Sequence, residues 1–177
     1  YPWQAAIGVD GYICGASIIN EYWILTAAHC VENNSIVADP ENVTVYVGSS
    51  NTLAGMYSSG GDEYDVEEVI SHASYGNFAS GGWGGGSNND IALLKLSSPI
   101  SFNDDVQPIS IICSDQVAAG AQDEGVMTTV TGWGNTTQGG DLSNTLQYIE
   151  VPIISEYDPD VNFSNSQING NTQFLAG

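Results

Sequence analysis

The sequence predicts an all-β fold, a sandwich or a barrel. Three observations carry this. Short runs rich in β-branched and aromatic residues recur along the chain. Clusters of Gly, Asn, Ser and Asp separate them. Neither heptads nor a sustained helical period is present, so no long helix competes for these residues.

The runs, in order, are Gln4–Val9, Tyr12–Ile19, Trp23–Ala27, Val43–Val47, Val66–Ser71, Ile91–Leu96, Val126–Gly132 and Thr145–Pro152. Val43-Thr44-Val45-Tyr46-Val47 alternates as a half-buried strand should. Ala27-Ala28-His29-Cys30 can open a short helical turn. Residues 48–65 and the glycine-rich stretch 75–89 read as loops, and the length of the second marks it as functional or disordered. Residues 103–122 read as a connector between two β units.

Composition narrows the function. Hydrophobic residues make up 42% of 177, enough for a core. Charged residues are only 12%, and they are lopsided: 21 Asp and Glu against one basic residue, Lys95, giving a net charge of −20. Such a surface cannot neutralise phosphates, which excludes nucleic-acid binding through a basic groove. Docking on an anionic membrane is excluded likewise, and no apolar run is long enough to span a bilayer. Tyr1-Pro2-Trp3-Gln4 is not a basic segment leading an apolar one, so no leader is expected within these residues. Sequons begin at Asn33, Asn42, Asn135 and Asn162, and Cys14 and Cys30 make a plausible disulfide; together they favour a secreted, extracellular protein.

Candidate chemistry is confined to few residues. Only His29 and His72 can serve as a general base near neutral pH. His29 ends an apolar run and adjoins Cys30; a disulfide there would pin its backbone, which suits a base and equally suits a structural histidine beside a core crosslink. Asp90, in Asn89-Asp90-Ile91-Ala92-Leu93-Leu94, stands at the mouth of an apolar run. A partly buried carboxylate needs a partner, and in a chain with one Lys and no Arg His29 is a natural candidate; the other reading, commoner for Asp in general, is a turn- or strand-capping acid. His72 reads as structural. No His, Cys, Asp and Glu set has zinc spacing, and the glycines at 81–86 follow no phosphate-cradling pattern.

Cys14-Gly15-Ala16-Ser17-Ile18-Ile19 followed by Leu25-Thr26-Ala27-Ala28-His29-Cys30 resembles the histidine block of the chymotrypsin/trypsin family of serine endopeptidases. Asn89-Asp90-Ile91-Ala92-Leu93-Leu94-Lys95-Leu96 resembles its aspartate block, and Thr131-Gly132-Trp133-Gly134 the loop that opens its second barrel. Tyr1-Pro2-Trp3-Gln4 is similar to the segment soon after its mature N-terminus. The resemblance implies two antiparallel β-barrels of chymotrypsin-like type with the active site between them. It divides the chain into residues 1–105, a first barrel carrying His29 and Asp90, and residues 106–177, a connector and an incomplete second barrel. It implies His29 as general base and acid, Asp90 as the group that holds the imidazole, a Cys14–Cys30 disulfide, a polypeptide substrate and no required cofactor.

The chain departs from the family in four respects. Chain order places the nucleophile after Asp90, yet none of the nine later serines stands in the family's Gly-Asp-Ser-Gly-Gly. The expectation is therefore a chain that ends short of its nucleophile, begins past the Ile-Val-Gly-Gly type N-terminus and is inactive alone. A family disulfide is lost as a pair, with Ser155 and Leu175 near its two positions. Cys113 stands where relatives reach a cysteine in another segment, so its partner is expected outside this chain. The remaining expectations are Trp83 as an apolar substrate wall, a protein protease inhibitor as partner, and a calcium site in Asp62-Glu63-Tyr64-Asp65-Val66-Glu67-Glu68, whose spacing is not a clear match. The alternative to an enzyme is a non-catalytic homologue that binds partners or regulates.

Overall fold

Six strands with aliphatic inward positions roll into one closed antiparallel barrel, in the order β1-β2-β3-β8-β7-β6. The strands are β1 (Gln4–Val9), β2 (Tyr12–Ile18), β3 (Trp23–Thr26), β6 (Val43–Val47), β7 (Asp62–Ser71) and β8 (Ala92–Leu96). A two-stranded hairpin, β4 (Glu32–Asn33) and β5 (Ile36–Val37), lies between β3 and β6 in the chain. The computed structural model describes residues 1–51, 61–76, 89–155 and 175–176.

Period-two alternation decides which side chains fill the barrel. On β8, Ala92, Leu94 and Leu96 point inward and are buried, while Leu93 and Lys95 alternate outward. Val43, Val45 and Val47 do the same on β6, and Ala5, Ile7 and Val9 on β1. Ile18 and Ile24 complete the centre. Turn chemistry sets the register. Asp10 (φ 46°) and Gly11 (φ 86°) join β1 to β2 with Val9 opposite Tyr12, a two-residue turn whose positive φ values match the twist of the strands. Asn34 (φ 51°) and Ser35 (φ 62°) close the β4–β5 hairpin in the same way.

A second sheet, in the order β11-β10-β9, is built from β9 (Met127–Gly132), β10 (Gln147–Ile154) and β11 (Leu175–Ala176). Between barrel and sheet the connector runs along the barrel wall, with the Gln107 N–H donating to the Pro2 carbonyl and the Ile109 N–H to that of Ile18. It carries the short helix α1 (Ser114–Ala118). Several contacts tie the sheet to the barrel, among them the following three. Trp133 is buried against Ala6 and Tyr46 on the barrel's outer face. Its indole Nε1–H donates to the Ser50 carbonyl at 3.1 Å. Thr131 Oγ donates to the Gln4 side-chain oxygen at 2.6 Å.

The all-β expectation is thus met by one closed barrel and a second partial sheet. Several bounds differ from those read in the sequence. β7 starts at Asp62, not Val66, because its acidic first half pairs with Thr44–Val47 of β6 despite low β propensity. Residues 62–65 therefore belong to a strand, not a loop. Ile91 and Thr145 fall outside their strands, and β10 runs on to Ile154. Trp83 lies outside the described residues, as do most of the glycine-rich stretch and the sequon at Asn162.

Candidate active site

β3 ends at Thr26, and the chain turns through a single 3₁₀ turn, Ala28–Cys30, that carries His29. Ala28 is buried beneath it and the Cys14–Cys30 disulfide closes it against β2. The imidazole is therefore fixed from below and from its C-terminal side while remaining 60% exposed. Asp90 arrives from a different part of the barrel, on the turn that leads into β8. β3 and β8 are neighbours, with Thr26 opposite Ala92, and this pairing brings the ends of the two strands together.

The two groups bind one another twice. The His29 backbone N–H donates to Asp90 Oδ1 at 2.8 Å, and His29 Nδ1 lies 2.7 Å from Asp90 Oδ2. An ionised carboxylate only accepts, so Nδ1 carries the proton and Nε2 keeps its lone pair. The neighbour of Nε2 is the Cys30 sulfur, at 3.5 Å. A disulfide sulfur has no proton to donate, so that lone pair stays free. Asp90 keeps 30% of its side-chain exposure, and the contacts with His29 occupy both of its oxygens.

Asp90 also forms part of the wall of an open groove of about 720 Å³ between the barrel and the second sheet. Gln4, Ala16, Thr26, His72 and Thr131 also line it. Gln4, which the sequence reading passed over, is buried. Its amide donates to the Ala5 and Ala16 carbonyls while its oxygen accepts from Thr131. A polar residue opening an apolar strand was the available signal, since a buried amide must find partners.

The other candidate residues lie apart from the pair or serve differently. His72 follows β7; its Nδ1 accepts from the Ser74 N–H at 3.1 Å, whereas the ring nitrogens of His29 face Asp90 and Cys30. Cys113 is exposed, is not disulfide-bonded and caps α1. The acids of 62–68 lie on β7, which pairs with β6 over Asp62–Asp65 and with β8 from Val66 on, with a register shift between Val66 and Glu68. Asn33, Asn42 and Asn135 are all exposed, as a glycan would require. Among the described residues, the one grouping with metal-ligating atoms in reach of each other is Cys14, His29 and Cys30. Its two sulfurs are bonded to each other, so neither is a thiolate ligand.

Chemically, the arrangement is an oriented base. It can take a proton at Nε2 while Asp90 stabilises the imidazolium that results.

The model of the family described as Trypsin matches residues 1–174. A protein named Trypsin from Phaedon cochleariae is 33% identical over 179 aligned residues, which take in 100% of this chain and 62% of that protein. The chain thus spans a little under two thirds of the length of this relative.

Proposed function

The chain belongs to the trypsin family, and from that premise we propose that it carries the base and its orienting acid for a secreted serine endopeptidase. The observation that carries this reading is the His29–Asp90 pair, 61 residues apart in sequence and 2.7 Å apart in space. The substrate is a polypeptide. A serine oxygen attacks the scissile carbonyl carbon and its proton passes to His29 Nε2. The imidazolium then gives that proton to the departing amine nitrogen, leaving an acyl-enzyme. Nε2 next takes a proton from water, whose oxygen attacks the ester carbonyl; the acid is released and the proton returns to the serine. Asp90 remains ionised throughout and holds the Nδ1–H tautomer.

The nucleophile comes from outside these 177 residues, because none of the serines after Asp90 has the family's context. The base and orienter alone do not acylate. Secretion is supported by the Cys14–Cys30 disulfide and by the exposed asparagines of three sequons. The exposed, unbonded thiol of Cys113 supports a covalent link to a segment outside this chain as part of the same proposal.

A fluorophosphonate probe tests the reading. The 177-residue chain is expected to stay unlabelled, and the complete protein to label stoichiometrically at a serine in Gly-Asp-Ser-Gly-Gly. Labelling of the 177-residue chain at one of its own serines overturns the assignment of the nucleophile. A folded complete protein that does not label is the non-catalytic homologue instead.

A further inference from the structure

Asp90 sits at the centre of a tight turn that the backbone does not adopt without help. The Ile91 N–H donates to the Asn89 carbonyl at 2.8 Å, which folds three residues back on themselves. Asn89 takes φ 55°, in the left-handed region that side chains other than Gly, Asn and Asp avoid. The torsion decides where the Asp90 carboxylate lands, since a change of φ at Asn89 swings the next residue away from His29.

A closed ring of hydrogen bonds holds this turn. Asn89 Nδ2 donates to the Ser74 carbonyl at 3.3 Å. The Ser74 N–H donates to His72 Nδ1 at 3.1 Å. The His72 N–H donates to the Ile91 carbonyl at 3.1 Å, and the Tyr75 N–H to the His72 carbonyl at 2.8 Å. The ring starts and ends on the two residues that flank Asp90. His72 contributes through an acceptor that bends residues 72–75 back, so that the Ser74 carbonyl is presented to Asn89.

We propose that Asn89 and His72 are positioning residues for Asp90: the Asn89–Ser74–His72–Ile91 ring fixes the turn that delivers the Asp90 carboxylate to His29. This rests on the reading of His29 and Asp90 as base and orienter. His72 acts here as an acceptor, so an asparagine can replace it. An Asn Oδ1 accepts from the N–H two residues on in the same manner. A leucine cannot. At position 89 a glycine keeps the left-handed torsion but loses the tie to Ser74.

Histidine is present only twice, so a ¹⁵N-histidine-labelled sample gives two separable sets of ring signals. In the unaltered protein the His29 Nδ1–H resonance is expected to be resolved and shifted downfield by Asp90, and Asp90→Asn should remove it. If Asp90→Asn changes nothing, the reading of the pair itself fails. With that control in place, Asn89→Gly and His72→Leu should each lose the His29 Nδ1–H resonance to exchange, and His72→Asn should restore it. Far-ultraviolet circular dichroism establishes that each variant is folded; where His72→Leu is not, Asn89→Gly against His72→Asn decides. Retention of the His29 signal in folded Asn89→Gly overturns the proposal. So does its loss in folded His72→Asn.

Discussion

The 2.7 Å contact between His29 Nδ1 and Asp90 Oδ2 fixes a tautomer, and a tautomer is a single proton's position. Replacing Asp90 with Asn keeps the volume but removes the ionised acceptor. The imidazole can then carry its proton on Nε2, where it cannot act as a base. In the complete enzyme, Asp90→Asn is expected to lower kcat at neutral pH by about 10⁴-fold, measured with a peptide substrate; a loss of less than tenfold would contradict the assigned role. A second residue works in the opposite sense. Ser71 Oγ is buried and, among the described residues, unsatisfied. Its hydroxyl lost water on folding and gained no partner in exchange. Ser71→Ala should therefore be neutral or stabilise the fold by about 1 kcal/mol, read from the midpoint of urea unfolding. A clear loss of stability would mean that the hydroxyl has a partner in solution.

At the scale of elements, the disulfide and the barrel strands share the work of fixing His29. Cys14 and Cys30 enclose a segment of sequence separation 16. A crosslink of that span stabilises a domain by about 3 kcal/mol, chiefly by restricting the unfolded chain. Replacing both cysteines with Ala should cost about that much in thermal or urea unfolding under oxidising conditions, and have no effect when the parent protein is fully reduced. Most barrel strands were legible in the sequence from β-branching, as in β6, or from a short apolar run bounded by turn residues, as in β1 and β8; in the first half of β7, Asp62, Glu63 and Asp65 hide any such signal. The β4–β5 hairpin and α1 were not legible, since two-residue strands and a five-residue helix are too short to show a period. Of the site, His29 and Asp90 were legible as candidates from residue type and setting, and their roles only through the family resemblance. Their meeting depends on the pairing of β3 with β8, which periodicity does not specify. The part played by Asn89 was hidden altogether, because a left-handed torsion leaves little trace in residue type beyond a tolerance for Asn.

Across the whole molecule the dominant unpaired quantity is charge. The chain carries 21 acidic residues and one lysine, and that lysine's ammonium lies 3.2 Å from Glu67. Among the described residues, His29 beside Asp90 is the other basic side chain paired with a carboxylate, so the remaining acids have no cationic side chain against them. The folded state holds these charges closer together than the unfolded chain does, so their mutual repulsion opposes folding. Salt screens it: the Debye length falls from about 30 Å at 0.01 M to about 3 Å at 1 M. Salt also weakens the Lys95–Glu67 pair, but an exposed pair of this kind contributes only about 0–1 kcal/mol. The repulsion wins, and Tm should rise with sodium chloride between those limits. A gain of 1 kcal/mol corresponds to roughly 2–4 °C in a domain of this size. The shape of the curve separates screening from the exclusion of salt at the surface. Screening does most of its work at low concentration, where the Debye length changes fastest, whereas exclusion grows steadily. A scan of Tm against sodium chloride should therefore climb steeply and then flatten. Lysine at Glu63 and Asp65, two exposed positions on β7, should raise Tm at low salt and shrink the climb. A Tm that falls with salt, or a double variant with an unaltered salt profile, would show that self-repulsion does not govern the stability of this chain.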